Sequence, residues 1–228
     1  MSPKQIPLEL TSSPAQGRDD FFISASNELA LHWVEGWPQK WQPFPALIIH
    51  GPKGSGKTHL AEVWCKMTQA RRLSLEQFMK VELDHCLENR DNLVLDRIDL
   101  LIGEREQEEK LFHLYNSALQ NTFYILALSR TSPMHLDFAI PDLASRLRAA
   151  PQAAIAVPDD ELLTKVIAKR FHDQGYVVAP NVLTYIVART ERSWEAVDAL
   201  VERAIRLATA DKKQITVPLM RDLMIVMD

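Results

Sequence analysis

Short runs that are apolar at every position alternate with longer stretches that are apolar on one side only, and this change of pattern is the first guide to structure. "QPFPALIIH" leads through prolines into such a run, Ala46 to Ile49. "LVLD" and "YILALS" are two more, each too short for a typical helix and each bounded by polar residues. Short continuous apolar runs of this kind mark strands covered on both faces. The stretches around them carry the helical period. "SASNELALHWVEGW" predicts a helix capped by Ser24 or Ser26, with Leu29, Leu31 and Trp33 among its apolar positions. "KTHLAEVWCKMTQA" predicts a second that buries Leu60, Val63, Trp64 and Met67, and "EREQEEKLFHLYNSALQ" a third between the last two strands. Strands alternating with helices make an α/β domain, a parallel sheet flanked by helices on both faces.

From Pro158 the pattern is helical throughout. "DDELLTKVIAKRFHDQG", "NVLTYIVARTE", "SWEAVDALVERAIRLATADK" and "VPLMRDLMIVM" read as four helices with short connections. The expected organisation is an extended tail over residues 1–20, an α/β domain over 21–157 and a small C-terminal all-helical domain over 158–228. The tail is rich in Pro, Ser, Thr and Gln and lacks periodicity.

Composition narrows the class. The chain has 228 residues, 46% of them hydrophobic, enough for one sizeable core with a small one appended. A formal net charge of −4 argues against a general polyanion binder. Cys65 and Cys86 lack metal-ligand spacing and suit inert thiols in a reducing cytoplasm. His85 beside Cys86 has no second pair to complete a zinc site. No apolar stretch approaches the roughly 20 residues of a bilayer span. The first residues lack the pattern of a signal peptide. A cytoplasmic protein without membrane contact is expected.

The candidate chemistry begins at "GPKGSGKT": Gly51, Pro52, Lys53, Gly54, Ser55, Gly56, Lys57 and Thr58, followed by His59. It fits G-x-x-x-x-G-K-[ST] between a strand and a helix. Glycines let the backbone turn and aim its N–H groups at phosphate oxygens. Lys57 brings positive charge to the β and γ phosphates, and Thr58 a hydroxyl to Mg2+. The helix start adds a favourable partial charge, up to about 2 kcal/mol in buried geometry. A bound ADP or ATP is expected.

Asp96 ends the strand of "NLVLDRIDLL", as a magnesium-side carboxylate should, but where a second, water-positioning acid usually follows the residue is Arg97. A guanidinium cannot accept a proton from water. A water-positioning group contributes about 10²–10⁴ in rate, so its loss raises the barrier by roughly 3–5 kcal/mol. The chain is expected to have weak or no ATPase of its own.

In order along the chain, "FFISASNELA", "GPKGSGKTHL", "LVLDRIDLL", "YILALSRTSP" and "IPDLASRLRAAP" resemble the DnaA branch of the AAA+ ATPases, and within it the short Hda-type relatives that inactivate the initiator. The resemblance implies a P-loop AAA+ sheet with a helical lid domain. It makes Arg146 of "DLASRL" an arginine finger acting in a neighbour's ATP site, with Arg148 as the nearby competitor. It makes Ser129 a γ-phosphate sensor and places Phe22 and Ile23, with Phe21, beside the adenine. The family's lid arginine aligns with Trp194, which leaves Arg192, two residues earlier, as the replacement.

The resemblance extends to the tail, where "QIPLEL" is similar to the motif that binds the DNA polymerase sliding clamp (its beta subunit), with Gln5, Ile6, Leu8 and Leu10 as contacts. The implied partners are the clamp and DnaA, with a homodimer also compatible. The chain ends after the lid, so no direct sequence-specific DNA binding is expected. Two other readings fit the same motifs: an ATP-driven helicase loader of this branch, and a scaffold that binds DnaA and clamp without stimulating hydrolysis. Arg97 and "QIPLEL" favour the regulator.

Overall fold

A computed structural model describes residues 22–80, 91–211 and 214–225. Helix α1 (Glu28–Glu35) precedes strand β1 (Ala46–His50), which runs through a loop into α2 (Lys57–Thr68). Then come β2 (Arg71–Leu73), α3 (Leu75–Lys80), β3 (Leu93–Leu95) and α4 (Arg105–Asn121). Strand β4 (Ile125–Ser129), α5 (Pro141–Ala149) and β5 (Gln152–Ala154) complete the α/β part. Four helices follow: α6 (Asp160–Asp173), α7 (Pro180–Val187), α8 (Trp194–Asp211) and α9 (Val217–Ile225).

The five strands are all parallel, in the order β2-β3-β4-β1-β5. Side chains alternate across a strand, so each central strand feeds two cores. Ala46, Ile48, Leu93, Leu95, Ile125 and Ala127 pack with α3, α4 and α5 on one face. Leu47, Ile49, Val94, Leu126 and Leu128 pack with α1 and α2 on the other. The last four helices have their own core around Ile167, Phe171, Ile186, Val197 and Met220.

Two expected burials fail. Leu29 is 56% exposed and Met67 48%, while α1 buries Ala30, Leu31 and Val34. The residue before α1 is Asn27 rather than Ser24 or Ser26, and its Oδ1 accepts the Ser24 N–H at 3.0 Å. Trp41 stacks on Trp64 of α2 and Trp37 meets it edge-on, so these rings bind the segment after α1 to the sheet's second face. No helix among the described residues is long and apolar enough to cross a membrane.

Candidate nucleotide site

Strands β3, β4 and β1 are neighbours, and the loops leaving their carboxyl ends converge. Leu95 is in register with Ala127 and His50 with Ser129, which brings Asp96, Ser129 and Gly51 to one edge of the sheet. Ligands of open parallel sheets gather at such an edge. Gly51 N–H donates to the Ser129 carbonyl at 3.2 Å and ties the phosphate loop to β4.

Two glycines are required by the shape of the loop. Gly54 (φ 73°) and Gly56 (φ 101°) lie in the left-handed region, and a Cβ on either would come within 3 Å of lid atoms. Gly56 immediately precedes α2, so that helix opens with Lys57 and Thr58 at its positive end. Lys57 is 8% exposed. Its ammonium donates to the carbonyls of Gly51 and Pro52 at 2.7 Å each and to Ser55 Oγ at 3.4 Å. Burial pushes the Lys57 pKa down; Asp96 and Asp99 oppose that, and Arg130 and Arg97 reinforce it. Four charged side chains therefore lie within electrostatic reach of the ammonium.

Both carboxylates among them are already paired with arginines. Asp96 Oδ2 accepts from Arg72 at 3.0 Å, and the other arm of that guanidinium holds Glu62 at 2.8 Å. Arg97 has left-handed backbone (φ 59°) and its guanidinium grips the Asp99 carboxylate at 3.1–3.3 Å. Asp99 Oδ1 also accepts the Arg130 N–H at 3.0 Å. Ser129 is buried, and its hydroxyl donates to Thr131 O at 2.5 Å.

A cleft of roughly 390 Å³, within the usual range for ligand sites, opens between the loop and the helical part. Phe22, Lys57, Thr58 and His59 line one side; Leu162, Arg170, Trp194 and Asp198 line the other. Gly54, Ser55 and Gly56 also line it. Arg170 and Asp198 make an ion pair within it, and burial pushes the Asp198 carboxyl up against the pull of Arg170. Ile23 is 45% exposed and does not line the cleft, and Pro52 and Lys53 are exposed on the outer turn of the loop.

Trp194, not Arg192, meets the phosphate loop. Its backbone N–H donates to Gly54 O at 3.3 Å, whereas the Arg192 side chain is taken up by Pro158 O at 3.2 Å and Asp160 at 2.7 Å. Arg192 thus sits at the start of α6 and outside the cleft lining.

The two arginines of α5 differ in the same way. Arg148 donates to Pro133 O and Leu136 O at 3.2 and 3.0 Å and lies over Phe138. The Arg146 guanidinium rests on the faces of Phe112 and Tyr115, 5.1 and 5.6 Å from their centres, and that side chain makes no hydrogen bond or ion pair among the described residues. The start of α5 is fixed by Glu108, fully buried, whose carboxylate accepts the N–H groups of Gly103, Ala139 and Ile140 at 2.7–2.8 Å.

The model of the bacterial DnaA ATPase domain matches residues 14–155, more than half of the chain. The chain belongs to the bacterial DnaA ATPase domain family. It is 26% identical to the chromosomal replication initiator protein DnaA of Thermomicrobium roseum over 93% of this chain and 51% of that protein. It therefore spans about half the length of the DnaA proteins it matches. An uncharacterized protein of Haemophilus influenzae is also 26% identical, over 97% of this chain and 98% of its own length. In fold, domain III of Thermotoga maritima DnaA aligns with a TM-score of 0.78 at 19% identity, covering 91% of this chain and 94% of that one. AMPPCP-bound DnaA of Aquifex aeolicus aligns with a TM-score of 0.72 at 22% identity, covering 86% and 66%. The sheet, loop and helices of this DnaA-family chain are thus those of an AAA+ nucleotide-binding domain.

The residues present fit a nucleotide phosphate. A buried ammonium bonded only to neutral oxygens gains from an anion, and the loop glycines leave backbone where side chains would intrude. For the metal side the fit is poorer. Thr58 borders the cleft, but the Asp96 carboxylate is already paired with Arg72. Among the described residues no group of three or more His, Cys, Asp or Glu side chains is placed to hold a metal ion. Sequence reading missed Arg72, Arg130 and Glu108; Arg130, directly after a strand-end serine, was the one most open to notice. Gln5, Ile6, Leu8, Leu10, Phe21, His85 and Cys86 lie outside the described residues.

Proposed function

We propose that this DnaA-family chain is a nucleotide-holding regulator that promotes hydrolysis of the ATP bound to DnaA and so limits re-initiation of replication. It holds ADP or ATP at Gly51–Thr58 and hydrolyses it weakly or not at all. The tail, through Gln5, Ile6, Leu8 and Leu10, tethers it to the sliding clamp, and Arg146 reaches the nucleotide of DnaA. A guanidinium against a γ-phosphate stabilises charge that develops in the transition state, an effect worth about 10³–10⁵ in rate in other phosphoryl-transfer systems.

The observation that carries this reading is the contrast between arginines. Arg72, Arg97, Arg148 and Arg192 are each bonded within the chain, while Arg146 is steadied only by aromatic faces and keeps its donors available. The test is hydrolysis of ATP preloaded on DnaA, with clamp-loaded DNA and this protein. Wild type should accelerate it, and Arg146→Ala and Gln5→Ala should not. If Arg146→Ala stimulates as well as wild type, the finger assignment is wrong. If wild type does not stimulate at all, the scaffold and loader readings take over.

A further inference from the structure

Arg72 stands in strand β2, in register with Val94, one residue short of the end of the strand beside β3. Its backbone is therefore fixed next to the strand that delivers Asp96. Its two arms are bonded to two acids, Glu62 of α2 and Asp96, at 2.8 and 3.0 Å, so the guanidinium is pinned from both sides. On the same edge Arg97 holds Asp99. Asp96 at the strand end and Asp99 in the turn after it are thus both paired with arginines, while the side chains of Lys57 and Arg130 have no carboxylate partner among the described residues.

We infer that Arg72 occupies the carboxylate on which a magnesium ion would depend, so that this site holds a nucleoside diphosphate without needing the metal. This rests on the nucleotide-binding reading above. A metal ion reaching Asp96 has to displace a charge-assisted hydrogen bond and to sit beside a guanidinium that cannot lose its charge. Magnesium also gives up its water reluctantly, and one partly committed carboxylate offers it little in exchange. The diphosphate loses nothing comparable. Its charge is met by Lys57, by the loop amides and by the start of α2.

The test is binding of a fluorescent ADP analogue to the full chain, by anisotropy, in MgCl2 and in EDTA. Wild-type affinities in the two buffers should agree within about threefold. Arg72→Gln frees Asp96, and magnesium should then tighten binding by about tenfold or more. Glu62→Gln leaves the Arg72–Asp96 pair in place and should keep the wild-type indifference to metal. Arg72 is 37% exposed, and far-UV circular dichroism with thermal unfolding checks that the variants stay folded. A wild type that loses about tenfold or more in EDTA overturns the inference, as does an Arg72→Gln protein that responds to magnesium as wild type does. If wild type binds no ADP in either buffer, or if Lys57→Ala binds it as well as wild type, the nucleotide reading itself fails first.

Discussion

The indole of Trp194 lies against Gly56, its Nε1 2.9 Å from where a Cβ on that glycine would stand. The neighbouring Ser193 side chain does the same to Gly54, at 2.6 Å, and the Trp194 N–H completes the contact at the Gly54 carbonyl. The glycines of the loop therefore serve two surfaces at once, a phosphate on one side and the first turn of α8 on the other. An arginine at Trp194 would bring charge toward the phosphates. The tryptophan brings ring area against Gly56, beside a backbone N–H bond to Gly54 that does not depend on the side chain, and so joins the helical part to the loop whatever the γ position holds.

Gly56→Ala should accordingly be harmful twice. The φ of 101° is strained for any residue with a Cβ, at a cost of about 1–3 kcal/mol. The new methyl also meets the Trp194 ring. Trp194→Ala removes only the second conflict, so the double variant should be more stable than the sum of the single changes predicts. Urea unfolding of the four proteins should give a coupling of about 0.5–3 kcal/mol. Additivity within about 0.5 kcal/mol would mean that the indole does not sit on the loop in solution.

Three strands were legible from sequence because they are covered on both faces and read as unbroken apolar runs. Strands β2 and β5 were not, and Arg71, Arg72 and Gln152 explain why: edge strands of three residues are open to solvent and carry polar side chains. The phosphate loop was legible because its chemistry demands those residue types at that spacing. The hold of Arg72 on Asp96 was not, since it joins residues 24 apart and exists only through the β2–β3 register. Glu108 looked like one more acid on the polar face of α4. It is buried because backbone amides from two separate loops converge on it, which no local pattern encodes.

His50, at the end of β1, should make stability fall in mild acid. Burial lowers its pKa from the ordinary 6.5, and the charges of His135 and Lys57 lower it further. In the window between that lowered value and 6.5 the unfolded chain binds more protons than the native one, so stability is lost as pH falls through the window. Above it the imidazole is neutral in both states and contributes no pH dependence. Thermal unfolding between about pH 7.5 and about pH 5.5 should show the drop, and His50→Gln should reduce it. An unchanged slope in the variant would assign the drop to other groups.

Glu108→Ala should be among the most destabilising single changes in the α/β part. It leaves the N–H groups of Gly103, Ala139 and Ile140 without their acceptor, and an unsatisfied buried donor costs about 1–3 kcal/mol. For a chain of this length each kcal/mol lowers Tm by roughly 2–4 °C, so the shift is readily seen by calorimetry. Glu108→Gln keeps one oxygen acceptor but turns an NH2 group toward a donor, and should fall between wild type and alanine. A Tm for Glu108→Ala within a degree or so of wild type would refute this account of the loop before α5.

Arg146 and Arg148 are two residues apart on one short helix, and their substitution should separate stability from function. Arg148 bonds two backbone carbonyls, Pro133 O and Leu136 O, so Arg148→Ala loses hydrogen bonds from a charged donor, worth about 1.5–3 kcal/mol together. It should lower the unfolding midpoint while leaving stimulation of DnaA-bound ATP hydrolysis intact at temperatures where the chain stays folded. Arg146→Ala gives up only contacts with two rings, about 0.5–2 kcal/mol for a half-buried guanidinium. It should unfold nearly as wild type does and yet fail to stimulate. Urea titrations and the DnaA hydrolysis assay, run on the same preparations, read the two effects independently. If the losses are reversed, with Arg148→Ala stable and inactive and Arg146→Ala active, then Arg148 is the guanidinium that reaches the partner and its bonds to Pro133 and Leu136 must open to let it do so.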